Sequence, residues 1–115
     1  MRELKYTVTR LDDKVTLTRG ALWEPAKIIK PADSMAVRVF CETGFNYGYE
    51  GEGADQLALA ILLDYLGTGR AASVLDMCQQ FKRQILAGWQ SDHHQITGDE
   101  LAQFCVDYRR KAVAS

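Results

Sequence analysis

Residues 45–66 read FNYGYEGEGADQLALAILLDYL. Within them, Leu57 to Leu63 form the longest apolar run of the chain, with no polar break. Such a run is far short of the roughly 20 residues that span a bilayer. A helix that is apolar on every side is one that other elements cover. The stretch therefore predicts a buried helix at the centre of the core. Each large aliphatic side chain fully buried there contributes about 1.5–3 kcal/mol. Ile61→Asp is accordingly expected among the most damaging single changes. The helix is expected to begin near Ala54 or Asp55. Asp55 caps it or sits in its first turn, where a carboxylate meets unpaired amides and the positive dipole end. Leu66-Gly67-Thr68-Gly69 stops it.

Ahead of the helix, Gly44, Gly48, Gly51 and Gly53 are interleaved with Phe45, Tyr47 and Tyr49. Glycine permits close backbone approach, and the aromatics bring large buried area at low rotamer cost. Together they predict a loop that folds back on the domain rather than a flexible linker. Gln56 is polar where the helix is about to be buried, so it is expected to hydrogen-bond the backbone of this loop.

Toward the N-terminus, Leu4, Tyr6 and Val8 alternate with Lys5, Thr7 and Thr9. Val15 and Leu17 alternate in the same way, so both segments read as half-buried strands. Asp12-Asp13-Lys14 between them predicts a hairpin turn. Ala21-Leu22-Trp23 reads as a continuation of the second strand. Pro25 and Pro31 limit any regular element after it. Lys27 to Lys30 is an edge strand or an irregular crossing. Residues 35–41, MAVRVFC, alternate again and are expected as a strand.

Toward the C-terminus, Val74, Met77, Cys78, Phe81 and Ile85 recur at helical spacing and predict a helix from about Arg70 to Ala87. Gly88 ends it, and Trp89 packs back. Residues 90–96, QSDHHQI, read as a polar connection with exposed His93 and His94. Thr97 and Glu100 have capping-box spacing. The helix they open presents Leu101, Phe104, Cys105 and Tyr108, and Arg109-Arg110-Lys111 match its negative end. Strands first and helices after predict an α+β fold. It consists of a small N-terminal antiparallel sheet of three to four strands packed against three C-terminal helices. The first helix is central, and residues 1–115 form a single domain.

Apolar residues make up 47% and charged residues 25% of the 115, ordinary values for a folded globular chain. A net charge of -1 provides no overall field for a phosphate backbone, which leaves a local patch as the electrostatic route to nucleic acid. Cys41, Cys78 and Cys105 are odd in number and form no CxxC, the pattern of buried thiols in a reducing compartment. The opening MRELKY lacks the apolar core of a signal peptide. A cytoplasmic location with no membrane partner is expected.

Glycines before a helix present amides to anions. Here, however, no lysine followed by Ser or Thr completes a phosphate loop, and Glu50, Glu52 and Asp55 oppose phosphate. Those carboxylates, with Glu42 and Asp64, are of the type that holds a hard cation or forms an acid/base pair. Spacing alone does not make them converge, so no catalytic residue, metal ligand or cofactor is assigned. Trp23, Tyr47, Tyr49, Glu50, Glu52, Asp55 and Gln56 form the candidate binding site at the loop and helix start. Lys82, Arg83, Arg109, Arg110 and Lys111 form a candidate basic patch if their two helices align.

The central stretch also resembles a family of small bacterial and phage proteins of unknown function. That family's pattern runs aromatic-x-aromatic-Gly-Tyr, then Gly-x-Gly-Pro-Ala-Gln-Leu-Ala-Leu-Ala, then a downstream Phe-Lys. Phe45, Tyr47, Gly48, Tyr49, Gly51 and Gly53 match its loop, Gln56 to Ile61 its helix, and Phe81-Lys82 its later pair. Ala54-Asp55 stands where the pattern has Pro-Ala, which removes some preorganisation of the helix start. The similarity covers roughly residues 40–110 and imports no activity. A phage or mobile-element setting would imply a binding role directed at host machinery.

The leading expectation is a non-enzymatic protein-binding accessory or inhibitor protein. One alternative is a small ligand-binding domain or enzyme that uses a cleft between the glycine loop and the first helix. Another is a nucleic-acid-binding accessory protein that uses the basic groups.

Overall fold

The computed structural model describes residues 4–21, 24–48 and 51–114. The chain runs β1 (Leu4–Leu11), β2 (Lys14–Ala21), β3 (Glu24–Ile29), α1 (Pro31–Met35), α2 (Glu52–Leu66), α3 (Ala71–Gln84), β4 (His93–Thr97) and α4 (Gly98–Ala114). Short 3₁₀ turns lie at Thr68–Arg70 and Leu86–Gly88. The fold is α+β, as the order of patterns predicts: an antiparallel sheet packed against a helical region.

β1 and β2 pair from Leu4↔Ala21 to Leu11↔Lys14, leaving a two-residue turn at Asp12 and Asp13. Both aspartates take positive φ, 50° and 64°. A short polar side chain tolerates that region, and such turns match the twist of the strands they join. Four antiparallel strands form the sheet in the order β3-β2-β1-β4. Tyr6, Val8, Val15, Leu17 and Ile96 are buried on its inner face. Thr7, Thr9, Thr16 and Thr18 alternate with them on the other face. Pro25 sits in the edge strand β3, where a missing amide costs no ladder bond. Ala21 ends β2, while Leu22 and Trp23 lie outside the described residues.

α2 is the centre of the core. Every residue from Gly53 to Leu63 is buried. The helix begins at Glu52, two residues before the expected start, with Gly51 at its cap position. It ends at Gly67, whose φ is 93° and whose amide donates to Leu63 O at 2.8 Å. Near that end Asp64 fixes the helix to the sheet. Tyr6 Oη donates to Asp64 at 2.6 Å, and Arg19 Nη1 donates to both its carboxylate oxygens at 2.8 Å. Burial, and then the Asp64 bond, push the Tyr6 phenol far above its usual range, so it stays a donor.

The glycine loop folds back as expected over its described part. Phe45 and Tyr47 are buried, Asn46 N donates to Gly53 O at 3.0 Å, and Gly48 N donates to Leu86 O at 2.9 Å. A Cβ at Gly48 would lie 2.9 Å from Trp89 O, and one at Gly53 would lie 2.7 Å from Asn46 Cβ. Backbone approach alone therefore demands glycine at both positions.

Three expectations fail. Residues 35–41 are not a strand: the chain makes the short helix α1 and then runs irregularly to Gly44. The cause is Gln56, which is fully buried. Its Oε1 accepts from Phe40 N at 2.7 Å and Cys41 N at 3.1 Å. Its Nε2 donates to Ser34 Oγ at 2.8 Å and Arg38 O at 3.1 Å. A side-chain amide thus takes the backbone groups that a sheet neighbour would need. Gln56 fastens residues 34–41, not the glycine loop as expected. Conversely, residues 93–97 are not a loop but the strand β4, which pairs with β1 from Lys5↔Thr97 to Thr9↔His93. Only Ile96 of this strand is buried, so its pattern is too polar to read as a strand.

α3 is shorter than expected and breaks at Ile85. Its inner stripe meets α4 through Phe81 and Phe104, whose rings stand edge to face at 5.0 Å. The expected capping box opens α4: Glu100 N donates to Thr97 Oγ1 and Thr97 N to Glu100 Oε1, both at 3.1 Å.

Candidate functional site

Three of the residues expected at the loop and helix start, Tyr47, Asp55 and Gln56, are engaged inside the fold. Tyr47 is fully buried and its hydroxyl donates to Ser91 O at 2.8 Å. Asp55 is paired with Lys82 at 2.8 Å, and Gln79 Nε2 donates to the same carboxylate oxygen at 2.8 Å. Gln56 spends its amide on residues 34–41. Glu52 is exposed. Trp23, Tyr49 and Glu50 lie outside the described residues. Asp55 and Asp64 are nine positions apart on one helix, roughly 13 Å along its axis, and each faces a different cation. Among the described residues no three His, Cys, Asp or Glu side chains are grouped to hold a metal ion.

The basic groups do not join either. Lys82 is 6% exposed and turned into the core toward Asp55. Tyr108 Oη donates to Asp76 O, and Phe81 meets Phe104, so α3 and α4 run antiparallel. Arg83 therefore lies level with the first turns of α4, roughly 10 Å along the axis from Arg109. Arg83, Arg109, Arg110 and Lys111 are exposed.

The turn that carries Trp89, together with β4, brings together a cluster that sequence reading missed. His94 stacks on Trp89 at 4.6 Å with ring planes 2° apart, and meets Tyr47 edge-on at 5.7 Å. Its Nε2 accepts from Ser91 N at 3.0 Å. Arg10 lies over the Tyr47 ring, 4.2 Å from its centroid, and donates to Asn46 Oδ1 and Tyr47 O. Burial, and then the neighbouring His93 and Arg10, push the His94 pKa below its usual value. The ring is thereby kept neutral and able to accept the Ser91 amide.

Trp89 also borders a groove of about 300 Å³ at the free edge of β4. The end of α3 contributes Gln84 and Ile85, and β4 contributes Gln95 and Ile96. α4 supplies the opposite wall with Glu100, Gln103, Phe104 and Asp107. The groove thus has an apolar and aromatic floor, an amide rim and two carboxylates, and no basic side chain among the described residues lines it. Gln103 Nε2 donates to Asp107 Oδ1 at 2.9 Å, and Glu100 is held by the capping box. The polar stripe Glu100, Gln103, Asp107 beside Phe104 was visible as helical spacing. That the β4 edge and Trp89 face it depends on pairing over some ninety residues, which spacing does not show.

Of the three cysteines, Cys78 and Cys105 are buried and Cys41 is part-exposed, and all are free. Burial raises the Cys78 and Cys105 pKa values, which suppresses thiolate chemistry. No single helix among the described residues is long and apolar enough to cross a membrane.

Fold and groove define a small α+β protein with an open, acidic-walled surface groove. The chain belongs to the family described as Family of unknown function (DUF6166), which matches residues 6–107. No curated protein and no solved structure matches it.

Proposed function

We propose that this protein is a non-enzymatic accessory or inhibitor protein that binds a protein partner through the groove between α3, β4 and α4. The observation that carries the reading is the composition of that groove. Ile85 and Trp89 offer part-exposed apolar and aromatic surface beside an amide rim, over a floor of buried Ile96 and Phe104. Aromatic anchors surrounded by hydrogen-bonding groups are what protein interfaces use. Of the carboxylates expected to form a ligand site, Asp55 and Asp64 are instead engaged inside the fold. The separated basic groups offer no continuous track for a nucleic-acid backbone. A phage or mobile-element setting, with host machinery as the target, is part of the same proposal and is supported by the resemblance of the central motif. A reducing cytoplasm suits the three free thiols.

The test is quantitative affinity capture from the native host with the wild-type chain and with Gln103→Arg. The substitution fills the groove and sets a cation against Asp107. A stoichiometric protein recovered with the wild type and lost with the variant is the expected result. No stoichiometric partner, or equal recovery with both chains, would overturn the proposal.

A further inference from the structure

We infer that the occupant of the groove is an extended polypeptide segment that clasps the β4 edge at Gln95 and points a lysine or arginine at the wall formed by Glu100 and Asp107. This rests on the protein-binding reading above and names the partner's chemistry.

The first support is backbone geometry. Arg10 N donates to Asp92 O at 2.8 Å, which makes Arg10 and Asp92 a hydrogen-bonded pair of the β1–β4 ladder. In an antiparallel ladder such pairs alternate. His94 and Ile96 therefore direct their backbone groups at β1, and His93, Gln95 and Thr97 direct theirs outward. The His93 amide donates to Ser91 Oγ at 3.3 Å and the Thr97 amide to Glu100 Oε1 at 3.1 Å. Among the described residues, Gln95 is left to present both N–H and C=O at the groove, the arrangement by which an added strand pairs with a sheet edge.

The second support is charge. Glu100 and Asp107 are the charged side chains of the lining, and no cation among the described residues accompanies them. They lie seven positions apart on one face of α4, about 10 Å along the axis. An extended chain covers that distance in about three residues. Side chains of an extended segment alternate, so residues two apart face the same wall, about 7 Å from one another. A segment paired at Gln95 would thus set one apolar side chain on Trp89, and a basic one against the carboxylates. The recognised pattern is an apolar residue and a Lys or Arg two positions apart.

The test uses the full chain as bait for a random heptapeptide bead library, followed by titration of the recovered peptides. Glu100→Gln/Asp107→Asn removes both charges but keeps the capping acceptor, because glutamine serves in a capping box. Thr16→Lys on the opposite sheet face is the control. The expected result is enrichment of Lys or Arg two positions from an apolar residue, with affinity falling roughly tenfold in the double variant and unchanged in the control. Peptides without basic enrichment that Gln103→Arg still displaces would overturn this inference and leave the protein-binding reading standing. No recovered peptide, or peptides indifferent to both groove variants, would overturn both. Spermidine binding alone as tightly as the best peptide would overturn the polypeptide assignment in favour of a small cation.

Discussion

Gln56 shows how one side chain can decide the path of a segment. It sits in the first turns of a buried helix and satisfies four groups of residues 34–41, two amides, one carbonyl and one hydroxyl. Leucine fits the space but strands those groups. A buried group left unpaired costs about 1–3 kcal/mol, less where water reaches it. Gln56→Leu is expected to lower stability by about 2–4 kcal/mol and to speed hydrogen exchange at the Phe40 and Cys41 amides, measured by urea melts and NMR. His94 is one residue that ties stability to pH. Above its usual pKa of 6.5 the ring is neutral in folded and unfolded chains alike and adds no slope. Its folded pKa is depressed, so below 6.5 the unfolded chain takes the proton first and stability is lost until the folded pKa is passed. Urea midpoints between about pH 7.5 and 5.5 are expected to fall less steeply with acid in His94→Phe, which keeps a ring on Trp89 but binds no proton.

Between elements, the join of α2 to α3 is where polar chemistry is buried most deeply. Lys82 and Asp55 meet at 2.8 Å with side chains 8% and 12% exposed, and Gln79 bridges them. Removing one partner of such a pair leaves a stranded charge at a cost of about 3–5 kcal/mol. Lys82→Met is expected to cost about 3 kcal/mol, and Lys82→Met/Asp55→Asn to recover at least half of it, read from denaturant midpoints. Lys82 was legible only as a helical cation, since its partner lies 27 positions earlier. The same limit explains the other differences. The hairpin, α2 and the capping box are local patterns, and each stands as the sequence reads. The segment at 35–41 alternates like a strand, but a glutamine beyond the glycine loop captures its backbone. β4 is polar because it lies at a sheet edge, and its pairing partner lies at the other end of the chain. Of the expected binding residues, Tyr47, Asp55 and Gln56 make their polar contacts within the fold. Their polar groups serve the interior.

At the scale of the molecule, the central helix is clamped at both ends. Gln56 and Asp55 hold its start to α1 and α3, and Asp64 holds its end to β1 and β2. Such a body presents a preorganised groove, so binding there forfeits little conformational entropy. Trp89 belongs both to the groove and to the His94 stack, so the wall is supported from behind by Tyr47 and Arg10. The proposal that this groove receives a partner polypeptide is tested most directly by site-specific photo-crosslinking in native-host lysate. One chain carries the crosslinker in place of Gln103, in the groove, and another carries it in place of Thr16, on the opposite sheet face. A discrete polypeptide adduct from position 103 and none from position 16 is the predicted result. No adduct from 103, or the same adducts from both positions, would contradict it.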